Sequence, residues 1–192
     1  TQPNITTLVP GNYYLDLSDA NGCSDTAIII INEPALLEAV SVVSDGNIFG
    51  VSCNNFSDGK VEITVNGGIS PYYVTYNTLL PTSSVTPLFT FDNLQAGAGT
   101  FDIIDGNGCE LLGTPIIITQ PPALNIVSNT IENPSCFNTN DGSISISVSG
   151  GVAPYNFVEQ SSNDLSSLSA GTYVISITDF NNCAVGPVSL TL

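Results

Sequence analysis

The residues with chemistry to offer are five cysteines and three Asp–Asn pairs placed just ahead of some of them. Asp19-x-Asn21-x-Cys23, Asp105-x-Asn107-x-Cys109 and Asp179-x-Asn181-x-Cys183 share one spacing; Cys53 and Cys136 stand apart from it. A thiol forms disulfides or binds soft metals. A carboxylate and an amide two positions apart offer oxygen ligands to calcium, which takes six to eight of them and accepts Asn. Asp19, Asn21, Asp105, Asn107, Asp179 and Asn181 are therefore weak calcium candidates. The longer acidic run of an EF-hand loop, with its distant Glu, is absent. The same residues have a plainer use. Asp closes a turn on nearby backbone amides, and an Asn-Gly step admits positive φ. Turn chemistry is the reading adopted, also for Asp58 and Asp141, each of which precedes a Gly.

Composition removes most catalytic alternatives. The chain has 192 residues, one Lys, no Arg, no His, no Trp and a formal charge of −16. Without an imidazole, Ser-His-Asp and Cys-His sites are excluded, as are zinc sites built on His. The cysteines lie too far apart for a zinc ribbon. Carboxylate pairs can cleave glycosides, but no Trp platform or acid cluster accompanies them here, so no enzyme and no cofactor are expected, calcium aside. Nucleic acid needs Lys and Arg to displace its counterions, and an anionic membrane surface repels such a chain. No apolar run approaches the roughly 18 residues of a membrane helix, so membrane insertion is not expected. Tyr72, Tyr73, Tyr76 and Tyr155 could stack on sugars, but their recurrence at a strand start points to core packing.

The elements that must position these residues come in repeats. Residues 8–23, 94–109 and 168–183 align without a gap, each with Gly (Gly11, Gly97, Gly171) 12 positions before its Cys. A second signature recurs 83 positions apart: Cys53-Asn-Asn-Phe-Ser-Asp58-Gly59 against Cys136-Phe-Asn-Thr-Asn-Asp141-Gly142. An alternating strand (Val61, Ile63, Val65; Ile144, Ile146, Val148) and a Gly-Gly-x-x-Pro-Tyr corner follow each. Tandem copies of this length mark a repeat array. β-branched runs ending in Pro place boundaries near Glu33 and Pro121, because proline cannot continue the ladder. The expected units are the C-terminal part of a truncated repeat (residues 1–34), a complete repeat (35–121) and a shorter complete one (122–192). Nine extra residues in the longer copy fall around 82–90 and predict a longer loop or a hairpin. Since the first copy starts midway and no signal peptide is present, the chain is expected to be an internal piece of a longer protein. Six or seven short strands per repeat, with frequent turns, predict an all-β fold. It would consist of tandem immunoglobulin-like β-sandwiches forming an elongated rod.

That topology bears on the cysteines, whose use points to an oxidising, extracellular compartment. Cys53 is expected at the C-terminal pole of its sandwich and Cys109 at the N-terminal pole. Strands of about six residues separate the poles by roughly 20 Å, whereas a disulfide needs Cα atoms within about 7 Å. Poles of consecutive repeats do meet, which favours Cys53–Cys183. Cys109 and Cys136 would then pair with repeats outside these residues. Counting within repeats gives the alternative, Cys53–Cys109 and Cys136–Cys183; free buried thiols are the third reading.

Taken together, Cys-x4-Asp-Gly, the Gly-Gly-x-x-Pro-Tyr corner, Leu-x-Ala-Gly-Thr-Tyr, Asp-x-Asn-Gly-Cys and Gln-Pro-Pro-Ala-Leu resemble the SprB repeat of very large cell-surface proteins in gliding Bacteroidota. The resemblance implies an immunoglobulin-like module in an adhesin exported by type IX secretion and linked to gliding motility or surface attachment. Partners would be neighbouring repeats, surface polysaccharide or other cell-surface proteins. Two positions depart from the pattern: Gly99, where Tyr13 and Tyr173 stand in the other copies, and Val158, where an aromatic is expected. Asp25-Thr26-Ala27 fits the short Bacteroidota O-glycosylation acceptor, with Thr26 as the candidate. The readings kept open are a non-catalytic stalk of an adhesin, a carbohydrate-binding accessory module of a secreted enzyme, and a surface-filament subunit.

Overall fold

In a computed structural model, residues 5–44, 49–159 and 165–192 are described, and they are all-β, in antiparallel sheets. Alternation builds the central repeat. On β4 (Gly59–Asn66), Val61, Ile63 and Val65 turn inward while Glu62 and Thr64 do not. Strand β3 (Glu38–Val43) pairs with one edge of β4 and β7 (Leu88–Leu94) with the other. The facing sheet runs β6 (Thr82–Ser84), β5 (Tyr72–Tyr76), β8 (Gly97–Ile104), β9 (Glu110–Ile118). The first, second and fifth strands thus face the third, fourth, sixth and seventh, an immunoglobulin-like order. Between them Ile63, Val65 and Phe89 meet Val74, Phe101 and Ile103, with Tyr76 against Phe91 at a ring separation of 5.6 Å.

The extra residues of the longer copy form β6 and the start of β7, so the hairpin reading applies. In the shorter copy, β10 (Asn125–Glu132) pairs with β11 (Ser143–Ser149). A sheet of β12 (Asn156–Glu159), β13 (Thr172–Thr178) and β14 (Ala184–Thr191) completes it. Among the described residues, the counterpart of β7 is one bridge, Gly142 with Leu168, and one bond from the Ile144 amide to the Leu165 carbonyl. Among the described residues its buried apolar set is Ile144, Leu168, Ile175, Ile177 and Leu190, with partly buried side chains such as Ile146, Phe157 and Val188 packed against it.

The Gly-Gly-x-x-Pro-Tyr corner is a polar staple. At Gly150 φ is +74°, and a Cβ would lie 1.9 Å from the Ala123 carbonyl oxygen; Gly67 stands the same way against Leu36. Only glycine admits both the φ and the approach. The Tyr155 hydroxyl donates to the Gly150 carbonyl at 2.6 Å, and Tyr72 to Gly67 at 2.8 Å. These hydroxyls are committed to the corner. Tyr76 is buried and Tyr73 stays exposed. Gly99 is explained by Tyr76, whose hydroxyl lies 2.7 Å from where a Cβ would sit. In the other copies Tyr13 and Tyr173 bond backward, to the Val9 and Ser169 carbonyls. The side chain of Val158 lies outside the described residues.

The first hairpin, β1 (Gly11–Ser18) with β2 (Ser24–Ile31), has the cassette's shape, and among the described residues no sheet faces it. Leu15 and Leu17, which align with the buried Phe101 and Ile103, are 41% and 53% exposed. Thr26 is exposed on β2.

Candidate functional site: the junction between consecutive repeats

Each Asp-x-Asn-x-Cys segment is a turn wound around its own carboxylate. Asp179 Oδ1 accepts the amides of Asn181 and Cys183, both at 2.9 Å, and Oδ2 accepts the Val152 amide at 2.8 Å. Asp105 does the same with Asn107, Cys109 and Ile69. Asp19, on the exposed hairpin, keeps the bonds to Asn21 and Cys23. The residue before each Cys takes positive φ: Gly22 at 85°, Gly108 at 81°, Asn182 at 65°. Asp105 and Asp179 are nearly fully buried. Their oxygens face N–H groups, which present positive hydrogens where a cation would have to approach. Asp and Asn of one cassette also point apart, as the next contacts show. Among the described residues no group of three or more His, Cys, Asp or Glu side chains converges on a metal-sized site.

The partner of this turn is a loop on the preceding repeat. The Ser52 amide donates to Asp58 Oδ1 at 3.1 Å, and its hydroxyl bonds Oδ2. Asn55 takes φ 62°, bringing the Phe56 amide to the Cys53 carbonyl at 3.2 Å. The connecting segment is gripped as well: Asn54 Nδ2 donates to the Pro121 carbonyl at 3.0 Å and the Asn55 amide to Gln120 Oε1 at 2.9 Å. The Gly50 and Val51 amides both reach the Thr119 carbonyl.

Into this socket the turn delivers two groups. Asn181 Nδ2 donates to the Ser52 carbonyl at 2.8 Å. Cys183 bonds Cys53, with S–S 1.98 Å, Cα–Cα 5.7 Å and a sequence separation of 130. The inter-repeat pairing is the one formed. The counting alternative is not: Cys109 is free and exposed, as are Cys136 and Cys23, so the buried-thiol reading fails too. The reason is the one that separates the poles, since Cys109 occupies the opposite end of its sandwich from Cys53. A cleft of about 390 Å³ beside the bond is lined by Cys53, Asn54, Pro121, Leu124 and Cys183. The roles of Asn181 and Gln120 are absent from the sequence reading. The signal that was available is that Asn21, Asn107 and Asn181 recur where a turn alone would accept other residues.

Electrostatics follow from the staples. The Cys109 amide, with those of Ile69 and Asn107, holds Asp105 below the usual carboxylate value against the opposing effect of burial. The Ser135 hydroxyl, then Thr139 and the Ser135 amide, lower Asp141 to about 2. Desolvation and the Asp105 charge raise the Cys109 thiol, which leaves little thiolate at neutral pH. For carboxylates with lowered folded values, stabilisation is complete above the unfolded value near 4. It is lost as pH falls through the folded value. The urea midpoint is therefore expected to drop between about pH 4 and pH 2, and Asp141→Asn is expected to flatten part of that drop. Parallel curves for the two proteins would show that the Asp141 contacts do not stabilise the fold.

The family model of the SprB repeat matches residues 128–158, which run from β10 through the Cys136 loop and β11 to β12. The resemblance carried by the motifs is thus matched over that stretch. SprB repeats occur in cell-surface proteins and are structural, and the match supports a repeat region of that kind. No curated protein matches the chain.

Proposed function

We propose that this chain is a non-catalytic stalk segment of a large cell-surface adhesin, a series of sandwiches set in a rod and locked at their junctions. The Cys53–Cys183 bond carries this reading, because it joins two repeats and not two strands of one. A bond there, with Asn181 on the Ser52 carbonyl and Gln120 on the Asn55 amide, resists bending at the linker, the natural hinge of a tandem array. Residues 1–34 would be the end of a repeat whose other sheet covers Leu15 and Leu17, followed by repeats 35–121 and 122–192. Stable disulfides require an oxidising environment, in keeping with an extracellular, surface-exposed site, and the dense negative charge keeps neighbouring stalks apart. Export by type IX secretion and a part in gliding or attachment complete the proposal, with neighbouring repeats as the principal partners and polysaccharide or surface proteins met weakly and many times.

The test is a glycan array probed with the oxidised chain. A stalk is expected to give no strong signal on any one sugar. Tight, selective binding to a single glycan would replace the stalk with a carbohydrate-binding module.

A further inference from the structure

The loop at Cys136 is built like the loop that holds Cys183, yet among the described residues no turn sits in it and its thiol is free and exposed. The Ser135 amide donates to Asp141 Oδ1 at 3.0 Å, as Ser52 does to Asp58. Asn138 has φ 61° where Asn55 has 62°. The Thr139 amide reaches the Cys136 carbonyl at 3.3 Å, matching Phe56 and Cys53. Next to the free thiol, Phe137 is 92% exposed. The chain also leaves this repeat where a tether is needed. Leu192 Cδ2 lies 2.8 Å from a Cβ built on Gly142, beside the loop, much as Ile118 lies beside Gly50 ahead of the occupied junction.

The matching turn is open at the other end. Asp105, Asn107 and Cys109 repeat the Asp179, Asn181, Cys183 geometry. A cleft of about 280 Å³ there is lined by Pro34, Leu36, Gly68, Asp105 and Cys109. It has the floor of the occupied junction, where Pro121, Leu124, Gly151, Asp179 and Cys183 line the cleft, but lacks the wall that Cys53 and Asn54 supply there.

We infer that the Cys136 loop is a docking socket for the Asp-x-Asn-x-Cys turn of a further repeat tethered after β14, and that Cys136 forms a disulfide with that turn's cysteine. This rests on the stalk reading and extends it. The occupied copy in the same chain supplies the argument: a loop of matching backbone geometry, at Cys53, already binds a turn of this kind. A tether favours a following repeat over a second molecule, because a short linker gives an effective concentration of order millimolar. With oxidised glutathione as oxidant, Cys136 thiolate attacks its disulfide and releases one glutathione. The turn's thiolate then attacks the mixed disulfide and releases the second. Two thiol protons and two electrons leave the protein, and one S–S bond forms in it.

The experiment lengthens the full chain with a second copy of residues 119–192 after Leu192 and oxidises it in a glutathione buffer. Peptide mapping is expected to join Cys136 to the added cassette cysteine, with loss of Cys136 reaction with a maleimide. A folded added repeat with Cys136 still reactive would overturn the inference while Cys53–Cys183 stands. Loss of Cys53–Cys183 itself would instead remove the stalk reading. If the short added copy does not fold, a copy of residues 32–118, which brings the larger core and offers Cys109, poses the same question. Disulfide-linked dimers of the unlengthened chain through Cys136 and Cys109 at micromolar concentration would overturn the tethered partner in favour of a second copy.

Discussion

Pulled by its two ends, the oxidised chain is expected to stop short by about 450 Å of the length it reaches after reduction, at roughly 3.5 Å per residue. The residues between Cys53 and Cys183, a separation of 130, lie inside a covalent loop and cannot pay out while the bond holds. Tension enters at Cys53, crosses the sulfurs and leaves at Cys183, so the strands enclosed between them carry no load. Single-molecule stretching with and without a reducing agent reads this directly, and Cys183→Ser should behave as the reduced chain does. Equal lengths in both conditions would mean that the bond does not bear force, and the stalk reading would lose its main support. The same bond closes a loop long enough to be worth roughly 5 kcal/mol against the unfolded chain, so denaturant midpoints should fall on reduction as well.

One bond leaves one strand of each sandwich unprotected. Strand β3 precedes Cys53 and β14 follows Cys183, so tension can still peel an edge from each sandwich. The free cysteines answer this. A bond from Cys109 to a preceding socket would enclose β3, and one from Cys136 to a following turn would enclose β14. Overlapping locks of that pattern leave no strand outside a covalent loop. This is a mechanical reason for pairing across repeats when bonds within them would also stabilise each fold.

Much of this was legible locally. Val61, Ile63 and Val65 announce a half-buried strand by alternation, and Gly67-Gly68 and Gly150-Gly151 announce a corner by composition. The turn at Asp179 is written in its own spacing. What could not be read was set by distant packing. Gly99 is small because Tyr76, on another strand, fills its place. Among the described residues, the β7 counterpart in the shorter repeat is one bridge, between Gly142 and Leu168, a pairing that no local pattern announces. Asn181 shows its purpose only once Ser52, far away in sequence, arrives beside it. The disulfide was accessible because topology, a coarse property, fixes which poles meet.

Asp179→Ala is expected to lower the thermal midpoint of the last repeat by about 15 °C, from a loss of about 3 kcal/mol, measured by circular dichroism with the disulfide reduced. The carboxylate accepts three amides, from Val152, Asn181 and Cys183, at a site 4% exposed. Alanine leaves those donors without a partner, and each buried unpaired amide costs about 1–3 kcal/mol; water reaching the rim of the turn offsets part of that. Among the described residues the unit has few buried apolar side chains to absorb the loss. Asp179→Asn separates charge from shape. Its Oδ1 can still accept the two cassette amides, but Nδ2 would face the Val152 N–H, so about half the effect should remain. Asp19→Ala tests whether context decides: the cassette is the same, but Asp19 is exposed and water can replace the lost acceptor, so the midpoint should hardly move. In air-oxidised protein, Asp179→Ala should also slow formation of Cys53–Cys183, because the turn no longer aims Cys183 at the socket. A midpoint within a few degrees of wild type would show that the turn holds its shape without its carboxylate, and the account of the cassette as a preformed plug would have to be given up.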